Sequence, residues 1–283
     1  MSELASLGRS WLGPPADAGA DASAAYTELL LLNVYPYASL YRDVPAELNG
    51  PSSLWAARRF AGAGFAPPEL DTVAAPDHVG LCLAYLDRAA DGGFLRFCLE
   101  WIPVFTLAVE REPSADSSYG SLARETREAL LSRGGMSLEP LEPALRELPT
   151  AAANTDEEVR LSDVVRYILS PALCGFFLSR SRLGRMAREI GLRLPFGARF
   201  EVAVNLFASA GEAGRVADLL ESLDRERESW NADYDRLAGH HPGWAPFAAL
   251  WRRRTAAARG RLAEMKELLA RPLDLDYSSD APG

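Results

Sequence analysis

Asp77 and His78 stand directly before an apolar-periodic run, Leu81, Leu83, Ala84, Tyr85 and Leu86, and so open a helix. An aspartate in that position caps the first turn, a role worth about 1 kcal/mol, or offers its charge to a cation, and the two roles are compatible. His78 titrates near physiological pH, which suits either a functional contact or packing on a neighbouring helix. Further along, Glu100, Trp101, Pro103 and Phe105 share one apolar segment. Trp101 and Phe105 are four residues apart and lie on one helix face, as core or as the wall of a binding groove. Pro103 lacks a backbone N–H and shapes the backbone there. Tyr41 and Tyr85 combine an apolar ring with a polar tip, which fits a groove edge and half-buried packing equally.

Catalytic patterns are missing. The chain has no GxxxxGK[ST] loop, no GxGxxG, no GxSxG elbow and no HExxH spacing. The three histidines are His78, His240 and His241, and the last two sit in a turn. Cys82, Cys98 and Cys174 are odd in number and form no CxxC pair, so neither a disulfide framework nor a cysteine zinc site is expected. Each lies in an apolar run and reads as a small buried hydrophobe. We therefore expect no catalytic residue, no metal and no cofactor.

The elements that position these residues read as helices. Within 283 residues, 48% are hydrophobic and 24% charged, enough for a substantial core. A net charge of −9 argues against nucleic-acid binding and favours basic partners. Only Lys266 breaks an otherwise all-arginine basic set, a skew that reads as coding bias. Residues 1–22, rich in Ala, Gly, Asp and Pro, read as a flexible N-terminal arm. Residues 23–111 form an N-terminal helical part, with one helix interrupted or kinked at Pro36 and another bent or restarted at Pro103. Residues 112–160 read as a linker region with a short helix, 161–272 as a C-terminal helical part and 273–283 as a flexible tail. Hairpin signals are missing, and the expected fold is all-α, one compact domain of roughly ten to twelve helices by average helix length. The most apolar stretches, 94–109 and 164–178, are interrupted by charges and prolines, so no stable membrane insertion is expected. No export signal is visible in the first 25 residues, and the expected localisation is cytoplasmic.

One segment is distinctive. Ala75-Pro76-Asp77-His78-Val79-Gly80, Leu83-Ala84-Tyr85-Leu86, Phe94-Leu95 and Trp101-Ile102-Pro103-Val104-Phe105 together resemble the TorD/DmsD/NarJ family of molybdoenzyme chaperones, which carries a PDH element followed by W-x-P-x-F. Val34-Tyr35-Pro36-Tyr37, Leu40-Tyr41 and Gly64-Phe65 are similar to its members as well. The resemblance covers about 25–110 and leaves extra C-terminal helices. It implies a TorD-like helical bundle without catalysis, which binds the twin-arginine signal peptide or another segment of a molybdopterin oxidoreductase catalytic subunit until its cofactor is inserted.

Such a peptide presents guanidinium groups followed by apolar side chains, so its receptor needs carboxylates and an aromatic groove. On that basis Tyr41, Asp77, His78, Tyr85, Glu100, Trp101, Pro103 and Phe105 are the expected client-binding residues, with Asp77 and His78 beside an open groove at a helix junction. The alternative is a helical small-molecule-binding protein or enzyme, which calls for a deep, closed pocket between helices.

Overall fold

The computed structural model describes residues 3–14, 20–66, 73, 75–113, 117–134, 138–140 and 161–270. The expected tail and, from the expected linker, residues 114–116, 135–137 and 141–160 lie outside these residues. The elements in order are α1 (Glu3–Leu12), α2 (Ala20–Tyr26) running into a π-helical stretch (Thr27–Asn33), α3 (Ser39–Arg42), α4 (Pro51–Gly62), α5 (Val79–Arg88), α6 (Gly92–Glu110) and α7 (Ser117–Leu131). There follow α8 (Leu161–Ile168), α9 (Pro171–Cys174), α10 (Arg180–Glu189), α11 (Arg199–Glu212), α12 (Val216–His240), a 3₁₀ turn (Pro242–Trp244) and α13 (Ala245–Ala270). The fold is all-α, and the only β-type pairing among the described residues is an isolated bridge between Tyr37 and His78.

The N-terminus corrects the sequence expectation. Residues 3–12 are a helix and not a flexible arm, with Leu4, Leu7 and Trp11 on its buried face. That i, i+3, i+7 stripe is the signal that the Ala/Gly-rich composition masks. Helix α1 crosses α5 at a glycine pair: a Cβ on Gly8 would lie 2.7 Å from the Gly80 carbonyl, and one on Gly80 would lie 2.6 Å from the Gly8 carbonyl. Only glycines allow backbones so close. Trp11 then reaches α7, donating from Nε1 to Thr126 Oγ1 at 2.9 Å. Helix α7 is fifteen residues long and packs on α6 and α1, so this part of the expected linker belongs to the bundle.

At Pro36 the helix is interrupted and not kinked. Residues 34–37 are extended, and helix resumes only over Ser39–Arg42. The residue before a proline avoids helical geometry, and Pro36 donates no hydrogen bond. Its carbonyl instead accepts Val79 N at 2.8 Å, while Ala38 N donates to Asp77 O at 3.1 Å. The PDH element is thus stitched to this strand-like segment.

Helix α6 runs through Pro103 without restarting, and 14 of its residues are buried. It is long and apolar enough to cross a membrane by length and composition, but most of it lies inside the bundle. Pro103 cannot bond the carbonyl of Leu99. Trp244 takes that carbonyl instead, donating from Nε1 at 2.8 Å, and Trp251 Nε1 donates to the next carbonyl, Glu100 O, also at 2.8 Å. The proline therefore exposes backbone acceptors that dock α13 and the turn before it. Helix α12 is one continuous 25-residue helix, whose buried stripe runs from Leu223 through Trp230, Tyr234 and Leu237.

Two predictions follow from this packing. Trp244→Phe leaves the buried Leu99 carbonyl unpaired and should cost about 1–3 kcal/mol in urea unfolding. Adding Pro103→Ala restores an N–H for that carbonyl, so the double variant should recover part of the loss. Gly80→Ala should destabilise by roughly 1–3 kcal/mol through backbone overpacking, whereas Gly260→Ala, mid-helix with open space around it, should stabilise by up to about 1 kcal/mol.

Candidate functional site

All eight client-binding residues expected from sequence are buried. Asp77 and His78 do sit at a helix junction, but no open groove borders them: they are 0% and 1% exposed. Asp77 does not cap its own helix. Its Oδ2 accepts the backbone N–H of Ser39 at 2.7 Å, at the start of α3, and Oδ1 is buried without a partner. His78 is the cap of α5, its Nδ1 accepting Gly80 N at 3.1 Å. Its ring meets Tyr37 edge-on at 5.1 Å. Burial holds its imidazole neutral, with the pKa lowered to about 3. Asp43 repeats the cross-chain device: its carboxylate accepts the N–H and hydroxyl of Ser52 at 2.8 and 2.6 Å and so holds the start of α4. Burial raises the pKa of both aspartates.

The remaining candidates form the interior around α6. Glu100 is 0% exposed and bridges Arg42 at 2.9 Å and Arg254 at 3.4 Å, joining α3, α6 and α13. Arg42 lies over Phe97 and Arg254 over Trp251, at 4.6 and 4.5 Å from the ring centroids. Tyr41 stacks on Phe177 at 5.2 Å and packs near Trp101 and Phe105. Tyr85 closes a second aromatic group with Phe60, Phe65 and Phe94, and its hydroxyl donates to Asp91 Oδ2 at 3.2 Å. Tyr41, Tyr85, Trp101, Pro103 and Phe105 are framework, not groove lining, because apolar area at this density is removed from water by the neighbouring helices.

A surface cleft of about 780 Å³ lies elsewhere, between α6, α7 and α12. It is lined by Glu110 from α6 and Arg111 just past its end, by Gly120, Arg124, Arg127 and Glu128 from α7, and by Asp233, Arg236 and His240 from α12, with His241 beyond. Its charges are shared. Arg111 pairs with Asp233 and with Glu226 and lies 4.3 Å over the Trp230 ring. Glu110 binds Arg127 and lies 3.9 Å from Arg124. Asp233 also holds Arg236, and Glu128 faces His241 Nε2 at 3.1 Å. This cleft is open and charged, unlike the closed pocket that a small-molecule site calls for. A recess of about 160 Å³ adjoins it at Arg111. There Glu112 accepts the hydroxyls of Ser179 and Ser181, tying the end of α6 to α10. Sequence reasoning missed the cleft because the pairs that join its walls, Arg111–Asp233 and Glu128–His241, span over one hundred residues and no local pattern announces them.

The buried titratable groups generate a third prediction. A folded His78 pKa near 3 against an ordinary 6.5 means that the unfolded chain binds more protons between those values. Its stability contribution is therefore lost as pH falls below about 6.5. Asp77, raised above 3.8, acts oppositely and costs stability as pH rises through its folded value. Relative to the parent, His78→Asn, which preserves a capping side chain, should gain in melting temperature as pH falls from 6.5. Asp77→Asn should gain as pH rises from 4 towards 7. Thermal denaturation across that range checks both signs.

Residues 3–97 match the family model described as nitrate reductase delta subunit. The match runs from α1 into the first turns of α6, includes the PDH element and stops short of Trp101-Ile102-Pro103-Val104-Phe105. Neither the curated proteins nor the solved structures contain a match to this chain. The matched family consists of redox-enzyme maturation chaperones that act on molybdoenzyme catalytic subunits. Over residues 3–97, which include the buried PDH junction and the helices around it, the chain is similar to the NarJ/TorD-type molybdoenzyme chaperone family.

Proposed function

We propose that this protein is a dedicated assembly chaperone for a molybdopterin oxidoreductase. It binds the twin-arginine signal peptide or another arginine-bearing segment of the catalytic subunit in the cytoplasm, and holds that subunit until its cofactor is in place. The family match over residues 3–97 is the observation that carries this reading. The cleft between α6, α7 and α12 supplies the chemistry such a segment needs.

Glu110, Glu128 and Asp233 lie within one opening. Arg124 and Arg236, two of their present partners, are 58% and 63% exposed in their side chains. Exposed ion pairs are worth about 0–1 kcal/mol, so a client guanidinium can take over a carboxylate at little cost. Bidentate geometry then favours the incoming arginine. Arg127 and Arg111 are more deeply set and keep the cleft walls in register during the exchange.

Gly120 offers a clean test, because apart from its chain neighbours and the backbone of its own helix nothing lies within 4 Å of where its Cβ would be. Gly120→Phe should fill the opening without disturbing the core, and Glu128→Lys should reverse a charge exposed to solvent. Each should weaken calorimetric binding of an arginine-bearing client peptide by at least about tenfold, roughly 1.4 kcal/mol, with the melting temperature unchanged. Asp77→Asn should bind as the parent does. If the parent, used as bait in its own cells, enriches no molybdoenzyme subunit over a control bait, the chaperone reading fails. Full binding by Gly120→Phe would refute the cleft alone.

A further inference from the structure

The segment 180–200 carries six arginines and a single glutamate in a chain whose net charge is −9. Two of the six are committed inside the protein. Arg182 binds Glu189 and Glu226, and Arg199 donates to the carbonyls of Leu178 and Leu169 from a buried position. The other four, Arg180, Arg185, Arg188 and Arg193, have no carboxylate partner among the described residues; Arg185 bonds only the Ser181 hydroxyl, at 3.3 Å. The neighbouring acids are already engaged: Glu189 with Arg182 and Ser222, Glu201 with the backbone N–H of Ala198.

One of these arginines, Arg180, lies over an exposed aromatic ring, and the others belong to the same helix and the loop that follows it. At about 100° per residue, Arg185 and Arg188 fall on the side of α10 opposite its buried Leu183, Met186 and Ala187, and Arg180 stands at the helix start on the edge of the buried face. The chain then folds back, Leu192 N donating to Ala187 O at 2.8 Å, and the following loop brings Phe196 under Arg180, whose guanidinium carbon is 4.3 Å from the ring centroid. Phe196 is 84% exposed, more than any other large hydrophobic residue described, and Phe200, one helical turn later, is 41% exposed. An aromatic ring held open beneath a guanidinium, among unpaired arginines, is the composition that anchors protein interfaces.

We propose that the α10 face and the loop to α11 form a second docking surface, whose occupant is an acidic protein segment carrying an apolar anchor. Carboxylates of the segment pair with Arg185, Arg188 and Arg193, and its apolar side chain covers the free face of Phe196. Charge complementarity selects this occupant. The patch is locally basic on an acidic protein, and screening over about 8 Å lets a narrow segment meet the patch alone. An anionic membrane surface is a broad plane that also meets the acidic remainder of the protein, and it is repelled there. The surface lies outside the matched residues 3–97 and uses no residue of the cleft, so it stands independently of the client reading.

The experiment uses the full chain and a fluorescein-labelled peptide of about a dozen residues, rich in glutamate around a central Leu-Phe pair, read by fluorescence anisotropy. The parent should bind it at low salt and lose affinity steeply as salt rises. Phe196→Ser, a change at an exposed ring, should weaken binding by at least about tenfold, the scale of an interface anchor. The triple variant Arg185→Glu, Arg188→Glu, Arg193→Glu should abolish it, while Gly120→Phe in the cleft should leave it unchanged. Circular dichroism of each variant should match the parent. Equal binding by parent and patch variants would overturn the proposal, as would no binding by the parent. So would patch-dependent binding of phosphatidylglycerol vesicles or of an oligothymidylate with none of the peptide.

Discussion

The structure turns on the backbone of α6 at Pro103. A proline inside a helix leaves the carbonyl four residues earlier without its partner, and that carbonyl lies in the dry centre of the bundle. Burial without a partner would cost on the order of 1–3 kcal/mol. The indole of Trp244 removes the cost by donating to Leu99 O, and Trp251 adds a second bond at Glu100 O. The same turn carries Glu100, whose buried carboxylate is neutralised by Arg42 from α3 and Arg254 from α13. A buried charge of this kind is tolerable only when it is paired and hydrogen-bonded. One turn of one helix thus binds the N-terminal helices to the C-terminal pair.

Around that turn, buried polar groups act as couplings between distant segments. Asp77 and Asp43 each lend a carboxylate to a helix start that is not their own, at Ser39 and at Ser52. Asn33 Oδ1 accepts Ser181 N at 2.9 Å, and Glu112 gathers the hydroxyls of Ser179 and Ser181. Helix starts leave backbone N–H groups unmet, and a partner from elsewhere in the chain both satisfies them and fixes the crossing of the segments. This explains why residues that mark the family resemblance are buried: they specify the junctions on which the surface features are mounted.

Those surface features use charge in two different ways. In the cleft between α6, α7 and α12 every arginine already shares a carboxylate, so occupancy by a client means exchange of partners. On α10, Arg180, Arg185 and Arg188 have no carboxylate partner among the described residues and a ring lies open at Arg180, so occupancy there means new pairing. The two surfaces therefore suit segments of opposite charge.

The sequence alone was sufficient for the all-α class, the three free buried cysteines, the acidic balance and the family resemblance, since each rests on composition, local periodicity or short motifs. It also placed Asp77 and His78 at a junction of segments. It misread residues 3–12, where low-complexity composition outweighed the Leu4, Leu7, Trp11 stripe, and it took the buried Tyr41, Tyr85, Glu100, Trp101, Pro103 and Phe105 for a groove. Spacing tells which residues share a helix face, but whether that face meets water or another helix depends on contacts far along the chain. Glu100 and Arg254 are 154 residues apart, and Arg111 and Asp233 are 122. Only the tertiary structure brings such charges within reach, because their pairing is a property of helix packing and leaves no periodic trace.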